Sequence, residues 1–106
     1  TYDIDGVTMH MNAWHQDQVT KLPEGAQTIG SNSFCQNAMI HYKGKALTIQ
    51  PHPEFESVAI QGLLETRAGN VPVDLQEAAH AALPLANDNA AMGNRLAHFL
   101  KTKSLA

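Results

Sequence analysis

The residues best placed to do chemistry lie together in Gln50-Pro51-His52-Pro53-Glu54-Phe55. Prolines flank His52, and the one that follows it disfavours the α region and pushes the histidine towards extended backbone. In an extended chain, residues i and i+2 point to the same side, so the His52 imidazole and the Glu54 carboxylate can meet. A carboxylate that accepts the proton of one ring nitrogen fixes the tautomer and leaves the other nitrogen as a base. That is the base-plus-orienter half of a nucleophilic triad. The plainer alternative is a turn after a strand that carries two solvated polar residues. His-x-Glu is common, and spacing by itself leaves both readings open.

A second candidate is Asn12-Ala13-Trp14-His15-Gln16-Asp17, placed where a strand gives way to a loop. Loops at strand ends often carry binding residues. Trp14 and His15 sit there; His15 could meet a ligand, or could be an ordinary surface or packing residue. His10 and His15 match no compact zinc spacing, and no cysteine or carboxylate pair supports one, so no metal or other cofactor is expected. Cys35, in Ser33-Phe34-Cys35-Gln36-Asn37, has no flanking glycine and precedes a strand. A nucleophilic cysteine on a strained strand-to-helix elbow needs such glycines. Cys35 is therefore expected to be a small buried hydrophobe.

The elements that must position these groups change character halfway along the chain. Thr1–Ile4 and Thr8–Asn12 flank Asp5-Gly6, a hairpin dipeptide. Pro23-Glu24-Gly25 marks a turn before a strand at Gln27–Gly30. Ala38–Tyr42 and Ala46–Gln50 flank Lys43-Gly44-Lys45, which predicts a second hairpin. From Ser57 the apolar period becomes helical. Ile60, Leu63 and Leu64 line a helix to Arg67, with Ser57 as its N-cap and Gly69 as its stop. Asp74 and Glu77 predict a capping-box helix through Leu83, ended by Pro84. After the polar break Asn87-Asp88-Asn89, the positions Met92, Leu96, Phe99 and Leu100 form an amphipathic stripe.

Composition sets the outer bounds. The chain has 106 residues, 43% hydrophobic and 16% charged, with seven Lys+Arg against ten Asp+Glu. A net charge of −3 argues against a nucleic-acid partner, which would normally need a basic stripe. No apolar run approaches the ~20 residues of a membrane span. One cysteine excludes an intramolecular disulfide framework and suits a reducing, cytoplasmic setting.

Taken in series, four segments resemble the C-terminal half of class I glutamine amidotransferase domains, especially the GMP-synthase-like branch. They are Trp14-His15-Gln16-Asp17, Leu22-Pro23-Glu24-Gly25-Ala26, Ser31-x-Ser33-x-Cys35-x-Asn37-Ala38 and Ile49-Gln50-Pro51-His52-Pro53-Glu54-Phe55. The resemblance covers roughly residues 2–67, and Pro51 replaces the commoner Phe before His-Pro-Glu. It implies that His52 is the general base of a Cys-His-Glu triad and Glu54 its orienting carboxylate. Trp14, His15 and Gln16 would lie at the pocket for glutamine or a γ-glutamyl substrate. The nucleophile would sit upstream in a Gly-x-Cys-x-Gly elbow, which these residues lack.

The fold so implied is α/β: the C-terminal half of an open, mainly parallel sheet with flanking helices. Antiparallel hairpins would fill residues 1–50, and helices residues 57–103. Residues 1–69 would form the amidotransferase-like part, with 70–106 a helical extension packed on it. The implied partners are the N-terminal half of the same protein and a second copy of the chain. Two other functions stay open: a γ-glutamyl peptide or amine hydrolase, and a catalytically dead binding module on the same scaffold.

Overall fold

A computed structural model describes all residues from Thr1 to Ala106. Five strands come first: β1 (Tyr2–Ile4), β2 (Val7–Met9), β3 (Ala26–Ser31), β4 (Met39–Tyr42) and β5 (Ala46–Ile49). Three helices follow: α1 (Ser57–Arg67), α2 (Val73–Ala82) and α3 (Asn89–Thr102), with a 3-10 turn at Ala68–Asn70 after α1. The strands form one sheet in the order β2-β1-β3-β4-β5, and every neighbouring pair runs antiparallel.

The hairpins follow from their turn residues. Asp5 and Gly6 both take positive φ, 53° and 82°, as a two-residue turn matching the strand twist requires. The Asp3 carboxylate accepts the Gly6 N–H at 2.9 Å and steadies that turn. Gly44, at φ 67°, closes the β4–β5 loop, where the Lys45 N–H returns to the Tyr42 carbonyl at 2.8 Å. β2 stops at Met9 and not at Asn12, because the groups beyond it bond elsewhere. His10 exchanges two hydrogen bonds with Asp88, and the Asn12 carbonyl accepts the His52 N–H.

Helix starts also shift from the sequence expectation. Ser57 is the first helical residue of α1, not its cap; Glu56 holds the capping position in extended backbone. α2 begins at Val73 with Pro72 before it, so Asp74 lies inside the first turn and no capping box forms. There its charge favours the positive end of the helix dipole.

Met39 and Ile49 are cross-strand partners, as are His41 and Leu47, so all four side chains share a sheet face. That face holds a buried cluster that includes Tyr2, Ile4, Met9, Cys35, Met39 and Met92. α3 covers it, with Met92 fully buried and Phe99 edge-on to His41 at 5.8 Å between ring centres. Ile40 points the other way by alternation; it is buried outside that cluster, as are Ile60 and Leu64 of α1. Leu100 does not join the α3 stripe and is 81% exposed. At about 3.6 residues per turn it lies roughly 80° round the helix from Met92, whereas Leu96 and Phe99 lie within about 40°.

Candidate functional site

β5 delivers the chain to the His-Pro-Glu turn. Gln50 donates its N–H to the Ala38 carbonyl at 2.8 Å, and Pro51 is fully buried. A buried proline leaves no backbone donor unpaired and holds φ fixed where the strand ends. The His52 N–H then binds the Asn12 carbonyl at 2.8 Å, and the Phe55 N–H returns to the His52 carbonyl at 3.0 Å. This places the imidazole and the carboxylate on one side. His52 Nδ1 lies 2.5 Å from Glu54 Oε1. The ring also stacks on Phe55, with centres 4.5 Å apart and planes 14° from parallel.

Direction of donation fixes the tautomer. An ionised carboxylate only accepts, so Nδ1–H donates and Nε2 keeps its lone pair. The hydrogen bond from His52 holds the Glu54 carboxyl below its ordinary range, against a small opposing effect of desolvation. The side chains are 32% and 60% exposed, open enough for a reacting molecule to approach.

Trp14, His15 and Gln16 gather elsewhere. They line a groove of about 550 Å³ with Phe34, Arg67 and Leu75. Its loop is anchored at both ends: Asn12 binds the His52 turn, and the buried Asn37 donates to the Val19 carbonyl at 2.8 Å while accepting from the Thr28 hydroxyl. His15 Nδ1–H donates to the Asp17 carbonyl at 2.9 Å, leaving Nε2 as an acceptor. Arg67 has no carboxylate within 4.0 Å. His52 and Glu54 do not line this groove. The five sequence candidates thus fall into two places, joined by the short stretch Asn12-Ala13-Trp14.

Sequence reasoning passed over Phe34, Arg67, Asn12 and Asn89. Arg67 reads as an ordinary basic residue in a helix's last turn, and Phe34 as a neighbour of Cys35. No periodic or motif signal marks either as groove-lining. Cys35 is buried and unpaired, and burial pushes its thiol up, the property of an unreactive structural cysteine. Tyr2 beside it is pushed up to about 12, chiefly by burial and then by the thiol's charge. No three His, Cys, Asp or Glu side chains cluster as metal ligands. No helix is long and apolar enough to cross a membrane.

Two fungal proteins are similar to this chain. It is 31% identical over 61 residues to a Schizosaccharomyces pombe protein carrying the provisional name glutamine amidotransferase-like protein. It is 40% identical over 60 residues to a Saccharomyces cerevisiae protein carrying the provisional name glutamine amidotransferase. These alignments cover 58% and 56% of this chain, but only 25% and 24% of the relatives. The matched stretch is thus about a quarter of each relative's length. No protein-family model and no solved structure matches. The chain resembles glutamine amidotransferase-like proteins.

Proposed function

We propose that this chain is the C-terminal part of a class I glutamine amidotransferase domain of the GMP-synthase-like kind, and that it supplies the base of a Cys-His-Glu triad. The observation that carries the reading is the His52 Nδ1–Glu54 Oε1 contact at 2.5 Å, formed within the His-Pro-Glu sequence. Similarity to the two fungal proteins supports the glutamine amidotransferase-like part of this reading. The cysteine nucleophile belongs to another part of the intact protein, in a Gly-x-Cys-x-Gly elbow.

In the proposed reaction His52 Nε2 takes the proton of the cysteine thiol, and the thiolate so formed attacks the γ-carboxamide carbon of glutamine. The C–N bond breaks as His52 gives its proton to the leaving ammonia, and a thioester remains. His52 then takes a proton from water; the hydroxide cleaves the C–S bond and releases glutamate, and the proton returns to the leaving thiolate. Glu54 holds the imidazole in the productive tautomer throughout. Trp14, His15 and Gln16 face the substrate's amino-acid end, and Arg67 offers its α-carboxylate a two-pronged donor. The whole domain is read as an open, mainly parallel sheet in a cytoplasmic protein. Its remaining strands, in the N-terminal half, lie beyond the free edge of β5.

The groove favours one second reading. Its volume and its Trp14, Phe34 and Leu75 walls would accommodate a γ-glutamyl amide whose amine part is apolar. The experiment is ammonia and amine release by the intact protein, with glutamine and a γ-glutamyl anilide as alternative substrates. His52→Ala should lower turnover by a factor of about 10²–10⁴ with the fold retained, and Glu54→Gln by less. Near-normal turnover in His52→Ala would remove the triad. The preferred substrate separates amidotransferase from γ-glutamyl hydrolase, and inactivity on both would leave the binding module.

A further inference from the structure

The segment Asn87-Asp88-Asn89, at the start of α3, is bolted to the His-Pro-Glu turn. The Asp88 N–H donates to the His10 carbonyl and the His10 N–H to Asp88 Oδ2, both at 2.7 Å, across 78 positions of sequence. Asn89, only 7% exposed, donates Nδ2 to the Phe55 carbonyl at 3.1 Å and to Glu56 Oε1 at 3.4 Å. Asn12 donates its own Nδ2 to the same Phe55 carbonyl at 2.9 Å. Its backbone carbonyl takes the His52 N–H.

We propose that Asp88 and Asn89 are positioning residues for the His52–Glu54 pair, acting through the Phe55 carbonyl. The inference rests on the reading of that pair as the proton-handling groups. The pair is half open to solvent, so packing around it does little to fix its geometry. What fixes it is the backbone of the turn and the Phe55 ring on which the imidazole lies. Two amides grip the carbonyl of that residue from opposite ends of the chain. Asp88 sets where Asn89 stands by tying α3 to the His10–Asn12 strand exit.

Asn89 is committed to donating. Its Oδ1 is buried without a partner, a cost native structures accept rarely. Flipping the amide would set Oδ1 against the Phe55 carbonyl, acceptor against acceptor, so the donor assignment is the only one that bonds there. Asn89→Asp therefore keeps the shape and reverses the function: it puts a carboxylate oxygen beside both the Phe55 carbonyl and the Glu56 carboxylate.

The test is ¹⁵N NMR of the His52 imidazole in the intact protein, at a pH where the ring is neutral. The shifts of the two nitrogens give the ratio of Nδ1–H to Nε2–H tautomers. In the wild type Nδ1–H should predominate. Asn89→Asp should lower the ratio about fivefold or more, the factor expected for losing one hydrogen bond. Asn94→Ala, exposed on α3 and making no side-chain hydrogen bond, should leave it unchanged. If Asn89→Asp does not fold by circular dichroism, Asp88→Asn is read in the same way, with about a twofold fall expected. An unchanged ratio in a folded variant, or a wild type dominated by Nε2–H, overturns the proposal. Glutamine turnover gives the parallel readout: kcat lower by about tenfold in Asn89→Asp with KM within about twofold. A wild type that shows the tautomer effect but releases no ammonia supports the positioning role and removes the amidotransferase reading.

Discussion

Glu54 is stabilised in its charged form because the His52 N–H is donated to it, and this gives the pair a direction in pH. A carboxyl lowered in the folded state contributes stability above its unfolded value and loses it as pH falls through the folded one. Acidification below the ordinary carboxylate range should therefore free the imidazole, and Glu54 carboxyl ¹³C shifts should follow the event. In His52→Ala the Glu54 midpoint should rise towards the ordinary 4.5. A midpoint indifferent to the substitution would mean that the pair is not formed in solution. Cys35 gives the opposite case. Its buried, raised thiol should ignore a disulfide reagent until denaturant opens the core, and Cys35→Ser should keep the activity of the intact protein. Rapid labelling of the native state would refute the structural role.

At the scale of elements, the site depends on how closely β1, β3 and β4 approach one another. Gly30 stands where any Cβ would lie 2.6 Å from Ile4 Cδ1 and 2.7 Å from Met39 Cβ, both on buried side chains. Gly30→Ala should cost about 1–3 kcal/mol in urea unfolding, since neither neighbour has room to yield. The helical segment contributes at the same level. Met92 is fully buried in the core beneath the sheet, so Met92→Ala should cost about 2–5 kcal/mol. A loss below 1 kcal/mol would mean that α3 does not seal that face.

Across the whole molecule, the sheet ends in two short strands, β2 and β5, neither carrying a charged residue. Unpaired, uncharged edges recruit other strands. Residues 1–106 purified alone should self-associate, with sedimentation showing a mass that grows with concentration. On the proposed reading, an N-terminal half added back should suppress this by pairing with β5. A concentration-independent monomer would show that the edge needs no neighbour.

Local chemistry sufficed for much of this protein. Asp5-Gly6 and Lys43-Gly44-Lys45 fix their hairpins because the turns demand positive φ. Pro51 and Pro53 confine the backbone on either side of His52, but Glu54 reaches it through the Pro53-Glu54 turn, closed by the Phe55 N–H on the His52 carbonyl, and not through the extended period-2 backbone expected. The first and third helical stretches followed from apolar spacing, whereas the second was read from a capping box that does not form. Sequence could not say where strands stop or helices start when distant groups take the backbone's bonds: β2 ends early because Asp88 and His52 claim His10 and Asn12. It set Trp14, His15 and Gln16 beside a binding function but gave no sign of Arg67 or Phe34 across the groove. It read Asn87-Asp88-Asn89 as a mere break. Those residues meet their partners only after the chain folds back on itself, and hydrogen bonds spanning 34 to 78 positions leave no periodic trace along it.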